Sequence, residues 1–311
     1  MSAGRTFTRT EVEFAGLGGT VLRGWRYLPD AASSEAPVPG VVMAHGFSAV
    51  KEMGLEQMAD ACAAAGFAVL AYDHRNLGAS DGEPRQEIDI WAQARDYRVA
   101  FDRLAAEPAV DAARIALWGS SYSGGEVLVV GAADRRVAAV VAQVPFAGIS
   151  VEYTDDQLTA WTVLRDALLS GERGAPAEPY GPVPVVTETE GGAAFLGQAE
   201  SWRWFSERGD RPGSTWRNEC TVRNDGGPVL FDPGLAVAHV APTPLLLIVA
   251  TDDRLAPTDI ALAAFARAGE PKELVVEAGD HFVPYDGAAF ARCRDATIAF
   301  LRRHLEEAHR E

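Results

Sequence analysis

Few cysteines, a deficit of cationic side chains and the lack of any long uninterrupted apolar run set the first limits on this chain. Its three cysteines, Cys62, Cys220 and Cys293, are far apart and odd in number, so they make neither a metal-ligand spacing nor a disulfide framework. Cys62 falls in an Ala-rich helical pattern, which predicts a small buried thiol. Lys and Arg number 28 against 44 Asp and Glu, a formal charge of −16. A nucleic acid or an anionic membrane needs a basic face, so neither is expected as a partner, and the charge reads as solubility. Met1-Ser2-Ala3-Gly4-Arg5-Thr6 opens no apolar segment of a secretory leader. The most apolar runs, Val137 to Ile149 and Pro244 to Ala250, are too short or too interrupted to span a bilayer. A soluble, cytoplasmic protein is expected.

What is present is an ordinary globular composition, 48% apolar and 23% charged, over 311 residues. That length suffices for one large α/β domain with an insertion, or two small domains, and needs no disulfide or metal to stabilise its core. Thr10–Phe14 and Val21–Tyr27 read as two strands joined by the Gly16-Leu17-Gly18-Gly19 turn, a hairpin. The chain leaves that turn as a strand, not a helix, which excludes a dinucleotide-binding loop. Apolar strands then alternate with helices: strand Val38–Ala44, helix Met53–Ala65, strand Phe67–Tyr72, helix Ile90–Ala106, strand Ala113–Leu117, a helix from Glu126, and strand Val137–Val144. Continuous apolar strands between helices predict a mostly parallel, doubly wound sheet covered on both faces.

From Pro145 to about Ala241 this rhythm breaks into Pro/Gly loops (Gly171 to Pro184) carrying Trp161, Trp202, Trp204 and Trp216. It resumes with strand Thr243–Thr251, helix Thr258–Ala268, strand Glu273–Glu277 and helix Ala288–Glu307. The pattern divides the chain into a core, 1–144 and 242–311, and an inserted cap or lid, 145–241. The tryptophans would either line a pocket beneath that lid or form its own core.

Trp118-Gly119-Ser120-Ser121-Tyr122-Ser123-Gly124-Gly125 is the most informative stretch. A serine on a sharp strand-to-helix turn is a nucleophile elbow, whose strain requires small residues two positions either side. Gly119 and Ser123 satisfy this for Ser121. Trp118 and Tyr122 exclude Ser120. Ser123 passes on size but lies two residues further from the strand end, so Ser121 is the expected nucleophile.

A serine hydroxyl needs a histidine to take its proton and a carboxylate to orient that histidine. Of His45, His74, His239, His281, His304 and His309, only His281 falls in a loop after the final strand. His304 and His309 lie in a polar C-terminal helix and are expected to be solvated. His239 precedes a strand and reads as a capping or packing residue. Asp252 and Asp253 both sit at the carboxyl end of a strand, where open α/β sheets build their sites. An oxyanion would be received by the Tyr122 N–H, just after the nucleophile, and by the Phe47 N–H in His45-Gly46-Phe47, where glycine permits close approach. Neither metal nor cofactor is called for.

His45-Gly46-Phe47, the Asp73-His74-Arg75-Asn76-Leu77-Gly78-Ala79-Ser80 turn, the Gly119-to-Gly124 elbow, Asp253-Arg254-Leu255-Ala256-Pro257 and Gly279-Asp280-His281-Phe282 together resemble the α/β-hydrolase superfamily over nearly the whole chain. The resemblance implies the α/β-hydrolase fold with an N-terminal antiparallel hairpin and an inserted lid. Its Asp-x-x-x-Pro pattern implies Asp253 as the acid, and it makes the Asp73 turn structural. Ser-Tyr at the elbow is similar to the dienelactone-hydrolase-like and X-Pro-peptidase-like branch, and within it to bacterial and fungal hydrolases, some associated with polyketide pathways. Two departures matter: dienelactone hydrolases use cysteine where this chain has Ser121, and X-Pro relatives offer a tyrosine hydroxyl where this chain has Phe47. Peptidase activity is not expected. Elbow aspartates mark haloalkane dehalogenases and epoxide hydrolases, which are also disfavoured.

The resulting expectation is a serine hydrolase that cleaves a carboxylic ester, lactone or thioester through an acyl-enzyme on Ser121. The alternatives are an acyltransferase or cyclase, or a C–C bond hydrolase acting on a polyketide-like substrate. A rival of another class is a non-catalytic ligand-binding protein; such proteins usually lose a triad member, and here none is missing. The aromatic insert suggests a small apolar or aromatic substrate. Oligomeric state is left open.

Overall fold

The computed structural model describes residues 6–175, 178–223 and 226–307; Met1–Arg5 of the N-terminal stretch and His309 lie outside the described residues. The chain runs β1 (Phe7–Ala15), β2 (Val21–Pro29), β3 (Val38–Ala44), α1 (Leu55–Ala64), β4 (Ala68–Tyr72), β5 (Glu87–Asp89), α2 (Ile90–Ala105), β6 (Val110–Ser120), α3 (Tyr122–Ala133) and β7 (Ala139–Gln143). It continues through α4 (Asp155–Ser170), β8 (Tyr180–Val183), α5 (Ala199–Gly209), β9 (Cys220–Arg223), α6 (Pro233–Ala236), β10 (Leu245–Ala250), α7 (Thr258–Arg267), β11 (Lys272–Glu277) and α8 (Gly287–Arg302). Eight strands form one sheet in the order β1-β2-β4-β3-β6-β7-β10-β11. The β1–β2 and β2–β4 pairs are antiparallel and the others parallel. This is the α/β-hydrolase sheet with its N-terminal hairpin.

The central strands are apolar throughout because both of their faces are covered. Ile115 and Leu117 of β6, Val140 and Ala142 of β7, and Leu245 and Leu247 of β10 pack with α2 and α3. The alternate residues, Ala116, Trp118, Val141, Leu246 and Ile248, pack with α1 and α8. Cys62 is fully buried on α1.

The segment between the two halves divides its side chains. Trp161, Leu164 and Leu168 of α4 and Leu235 of α6 join the α2–α3 face of the core. Trp204 and Phe205 of α5 instead join Phe47, Val50 and Met53 in a third cluster. A three-stranded sheet, β5-β9-β8, underlies that cluster. It includes Tyr180–Val183 from the stretch read as loop, and it takes β5 from the first half of the chain. Short strands in polar, Gly/Pro-rich surroundings have no periodicity to announce them.

Candidate active site

Ser121 sits between β6 and α3 with φ 59° and ψ −117°, an uncommon conformation for a residue with a Cβ. A Cβ on Gly119 would meet the Ser123 carbonyl oxygen at 2.2 Å, so the turn closes only with glycine there. The backbone holds the strain from both sides. Ser121 N–H donates to the Gln143 carbonyl at 2.8 Å, and Phe146 N–H donates to the Ser121 carbonyl at 2.8 Å.

The structure brings Ser121, His281 and Asp253 together. Ser121 Oγ lies 2.9 Å from His281 Nε2, and His281 Nδ1 lies 2.6 Å from Asp253 Oδ2. Asp253 is held in turn by the N–H groups of Leu255 (2.9 Å) and Ala256 (2.8 Å) on its Oδ1. His281 and Asp253 are buried. Asp252 instead accepts from its neighbour Thr251 at 2.8 Å and is exposed. Ser123 is fully buried; its Oγ donates to the Ala44 carbonyl (2.9 Å) and accepts from Ser120 N–H (2.8 Å), tying the elbow to β3.

Two backbone amides flank Ser121. The Gly46 carbonyl accepts from His45 Nδ1 at 3.0 Å and from Ala49 N–H at 3.3 Å. A peptide is planar, so this fixes the opposite end of the same unit, the Phe47 N–H. Likewise the Ser121 carbonyl, bonded to Phe146 and Gly125, fixes the Tyr122 N–H at the start of α3. Among the described residues neither amide donates a hydrogen bond within the protein. A Cβ on Gly46 would lie 2.9 Å from Ser121 Cβ and 3.5 Å from its Oγ, which shows how closely this loop passes the serine. The positive end of α3 also favours negative charge at this point.

The surrounding polar groups are mostly structural. Asp73 accepts from Lys51 N–H (2.7 Å), Lys51 Nζ (2.7 Å) and Ala79 N–H (2.9 Å), which organises its turn. His45 Nε2 accepts from His74 N–H at 3.3 Å. Buried on α3, Glu126 faces His74 at 3.4 Å. Burial, with Asp96 and Asp89 nearby, pushes Glu126 well above the ordinary carboxyl range, and burial pushes His74 well below the ordinary imidazole range. Both shifts favour the neutral forms. His239 stacks on Trp161, with ring centroids 5.2 Å apart, as a packing residue. His304, expected to be solvated, is partly covered by Phe300 and lies 3.5 Å from Glu273. Among the described residues no cluster of His, Cys, Asp or Glu could hold a metal, and no helix is long and apolar enough to cross a membrane.

Ser121 and His281 open onto a cavity of about 550 Å³ that touches all three hydrophobic clusters. Of the four tryptophans in the intervening segment, Trp204 borders it, stacked on Phe282 with centroids 5.1 Å apart. Trp161 packs in the core and Trp216 against Phe205. Exposed Ile149, Tyr180, Phe195 and Leu230 also line the cavity, so its mouth is apolar. Sequence reasoning missed three of its polar lining residues, Ser120, Gln143 and Tyr285. Gln143 did leave a trace, as the one amide in the apolar run Val137–Ile149.

The alpha/beta hydrolase family profile matches residues 41–293. A thiohydrolase, aneE, of Aspergillus aculeatus is 30% identical over 305 residues, covering 95% of this chain and 93% of its own. The quorum-quenching protein AidA of Acinetobacter baumannii is 30% identical over 87% of this chain and 88% of its own. The crystal structure of the α/β hydrolase GrgF from Penicillium sp. superposes with a TM-score of 0.74 at 30% identity, covering 96% of this chain and 99% of that one. The same relative's sequence is described as a polyketide transferase. The chain belongs to the α/β-hydrolase family.

Proposed function

With that membership as the premise, we propose that the protein is a serine hydrolase acting on a carboxylic ester, lactone or thioester. The observation that carries the reading is the unbroken hydrogen-bond relay from Ser121 Oγ through His281 to Asp253. Ser121 Oγ attacks the carbonyl carbon as its proton passes to His281 Nε2, and Asp253 stabilises the imidazolium. The oxygen that becomes negative is received by the Phe47 and Tyr122 amides. His281 then returns the proton to the leaving thiolate or alkoxide, which leaves an acyl group on Ser121. Water attacks that carbonyl as its proton passes to His281; the acyl–Oγ bond then breaks, His281 returns the proton to Ser121 Oγ, and the acid is released. Dipole, amides and relay supply the whole chemistry without metal or cofactor.

The substrate class follows from the cavity and the relatives together. An apolar mouth and aromatic walls favour a small apolar or aromatic acyl group. The thiohydrolase relatives favour thioesters within that class. We take residues 145–241 as a cap over the site, because Trp204 packs on the residue next to His281. The free, buried cysteines suit the cytoplasm. A second reading, acyl transfer to another nucleophile, draws support from relatives described as polyketide transferases.

Intact-mass analysis after fluorophosphonate treatment tests the reading. A single adduct on wild type, absent from Ser121→Ala, is expected, together with Ser121-dependent thioester cleavage. Equal labelling or turnover of Ser121→Ala overturns it. Product analysis with competing amines or alcohols separates hydrolysis from transfer.

A further inference from the structure

Asp253 and His281 stand on two separate loops, after β10 and β11. Where those strands end, Asp252 N–H donates to the Gly279 carbonyl at 2.9 Å, and both residues lie on the loops beyond that link. Helix α5, from the intervening segment, touches both loops with one face. Its Glu200, Trp204 and Arg208 recur every four residues, so they line up along the helix over about 12 Å. All three are buried. At one end Glu200 accepts two hydrogen bonds from Arg254, from Nε at 3.0 Å and from Nη2 at 2.6 Å. In the middle Trp204 packs on Phe282 and on Tyr285, with centroids 5.1 and 5.2 Å away. At the other end Arg208 lies over the Trp204 ring, 4.6 Å from its centroid, and donates to Asp286.

Both loops are stiff between the point that α5 grips and the residue that reacts. Arg254 follows Asp253 inside the turn that Leu255 and Ala256 N–H close on Asp253 Oδ1. Asp286 follows a turn in which Phe282 N–H bonds the Asp280 carboxylate (2.9 Å), Val283 N–H the Asp280 carbonyl (3.1 Å) and Tyr285 N–H the Phe282 carbonyl (3.1 Å). His281 lies within it. Displacing Arg254 or Asp286 therefore displaces Asp253 or His281. Arg254 also donates to Glu190 at 3.1 Å, but both partners are open to solvent and such a pair contributes little. The Glu200 carboxylate is nearly covered, and its two parallel bonds hold one geometry. Arg208 is 2% exposed, where a guanidinium is costly unless its partner stays in place.

We propose that α5 is a positioning strap for the triad, in which Glu200 acts through Arg254 on Asp253 and Arg208 acts through Asp286 on His281. The inference rests on the serine-hydrolase reading above. Among the described residues that line the cavity, none belongs to either ion pair, so these side chains act on the relay and not on the substrate. The strap sets how well the imidazole is held between Ser121 Oγ and Asp253. A misplacement of about 1 Å at a reacting group costs about 10²-fold in rate.

The test compares Glu200→Gln and Arg208→Met with Phe7→Leu, a destabilising control in buried β1, at the opposite edge of the sheet from β11. On the N-acetylcysteamine thioester of octanoic acid, kcat per folded molecule should fall by about 10- to 100-fold in both strap variants, with KM little changed. Phe7→Leu should keep its kcat. The far-downfield proton resonance of the His281–Asp253 hydrogen bond should broaden or vanish in the strap variants and persist in the control. Arg254→Met, a change at an exposed side chain, should reproduce the Glu200→Gln loss, and the two combined should cost no more than Arg254→Met alone. Wild-type kcat with an intact resonance in both strap variants, additive losses in the pair, or an equal loss in Phe7→Leu overturns the strap. Octanoyl turnover that survives Ser121→Ala overturns the underlying serine reading instead, whatever the strap variants do.

Discussion

Gly46→Ala tests the oxyanion reading through one methyl group. The added carbon would lie 2.9 Å from the Ser120 carbonyl oxygen and 2.9 Å from Ser121 Cβ. Comfortable carbon–carbon contact begins at about 3.5 Å, so something must move by roughly 0.6 Å. The elbow cannot yield easily, because Ser121 is bonded through its N–H to Gln143 and through its carbonyl to Phe146. The His45–Phe47 loop moves instead, and with it the Phe47 N–H. An oxyanion donor works within about 2.7–3.1 Å of the developing charge, so that displacement removes it.

The expected cost is a fall in kcat of about 10²- to 10³-fold. KM should change far less, since the amide serves the transition state and not the bound substrate. Overpacking should also cost about 1–3 kcal/mol of stability, read as a drop of a few degrees in Tm. Gly24→Ala separates the two effects. Its Cβ would meet the Ala71 carbonyl oxygen at 2.3 Å, in the β2–β4 pairing and away from the elbow. It should destabilise at least as much while the folded fraction keeps its kcat. Wild-type kcat in Gly46→Ala, or an equal loss in Gly24→Ala, refutes the reasoning.

Asp253→Asn should retain an oxygen for the Leu255 and Ala256 amides but turn an N–H₂ towards His281, enforcing the wrong tautomer; kcat should fall by about 10⁴-fold with little change in Tm. Glu126→Gln should change how stability depends on pH. The unfolded carboxyl ionises near about pH 4.3, whereas the folded one holds its proton to much higher pH. Above that point the unfolded chain binds fewer protons than the folded one, so wild-type stability falls as pH rises. The depressed His74 acts in the opposite sense and only below about pH 6.5, where stability is lost as pH falls. Urea midpoints at neutral and alkaline pH isolate Glu126: the advantage of Glu126→Gln should grow with pH, and a constant difference would contradict the assignment.

The elements of the sheet were legible because its strands are buried on both faces, which writes uninterrupted apolar runs such as Val38–Ala44 and Leu245–Ala250. The elbow was legible for a different reason. Its strain admits only small neighbours, so Gly119 and Ser123 record the geometry in residue type. Asp253 and His281 were legible from their positions after strands whose order the runs had already set. The three-stranded sheet was not, since β5 is three residues long and its partner β9 lies more than a hundred residues later. No local pattern encodes such a pairing.

The polar residues Ser120, Gln143 and Tyr285 that line the cavity were hidden for a related reason. Ser120 and Tyr285 meet across 165 residues, and each alone reads as ordinary. Trp118 was seen only as a residue too large to flank a nucleophile at Ser120, yet the same residue lines the cavity. Alternation along β6 explains both roles: when Ser121 turns out of the strand, Trp118 and Ser120 stay on one face of the sheet. The elbow therefore fixes two things at once, where Ser121 stands and which side chains line the cavity beside it. Substitutions at Trp118 should accordingly change which acyl chain is accepted through the α1–α8 face, while those at Gly119 should act through the turn itself. The sequence can reveal the second effect because it is local, whereas the first becomes visible only when β6, β7 and the loop before α8 are assembled.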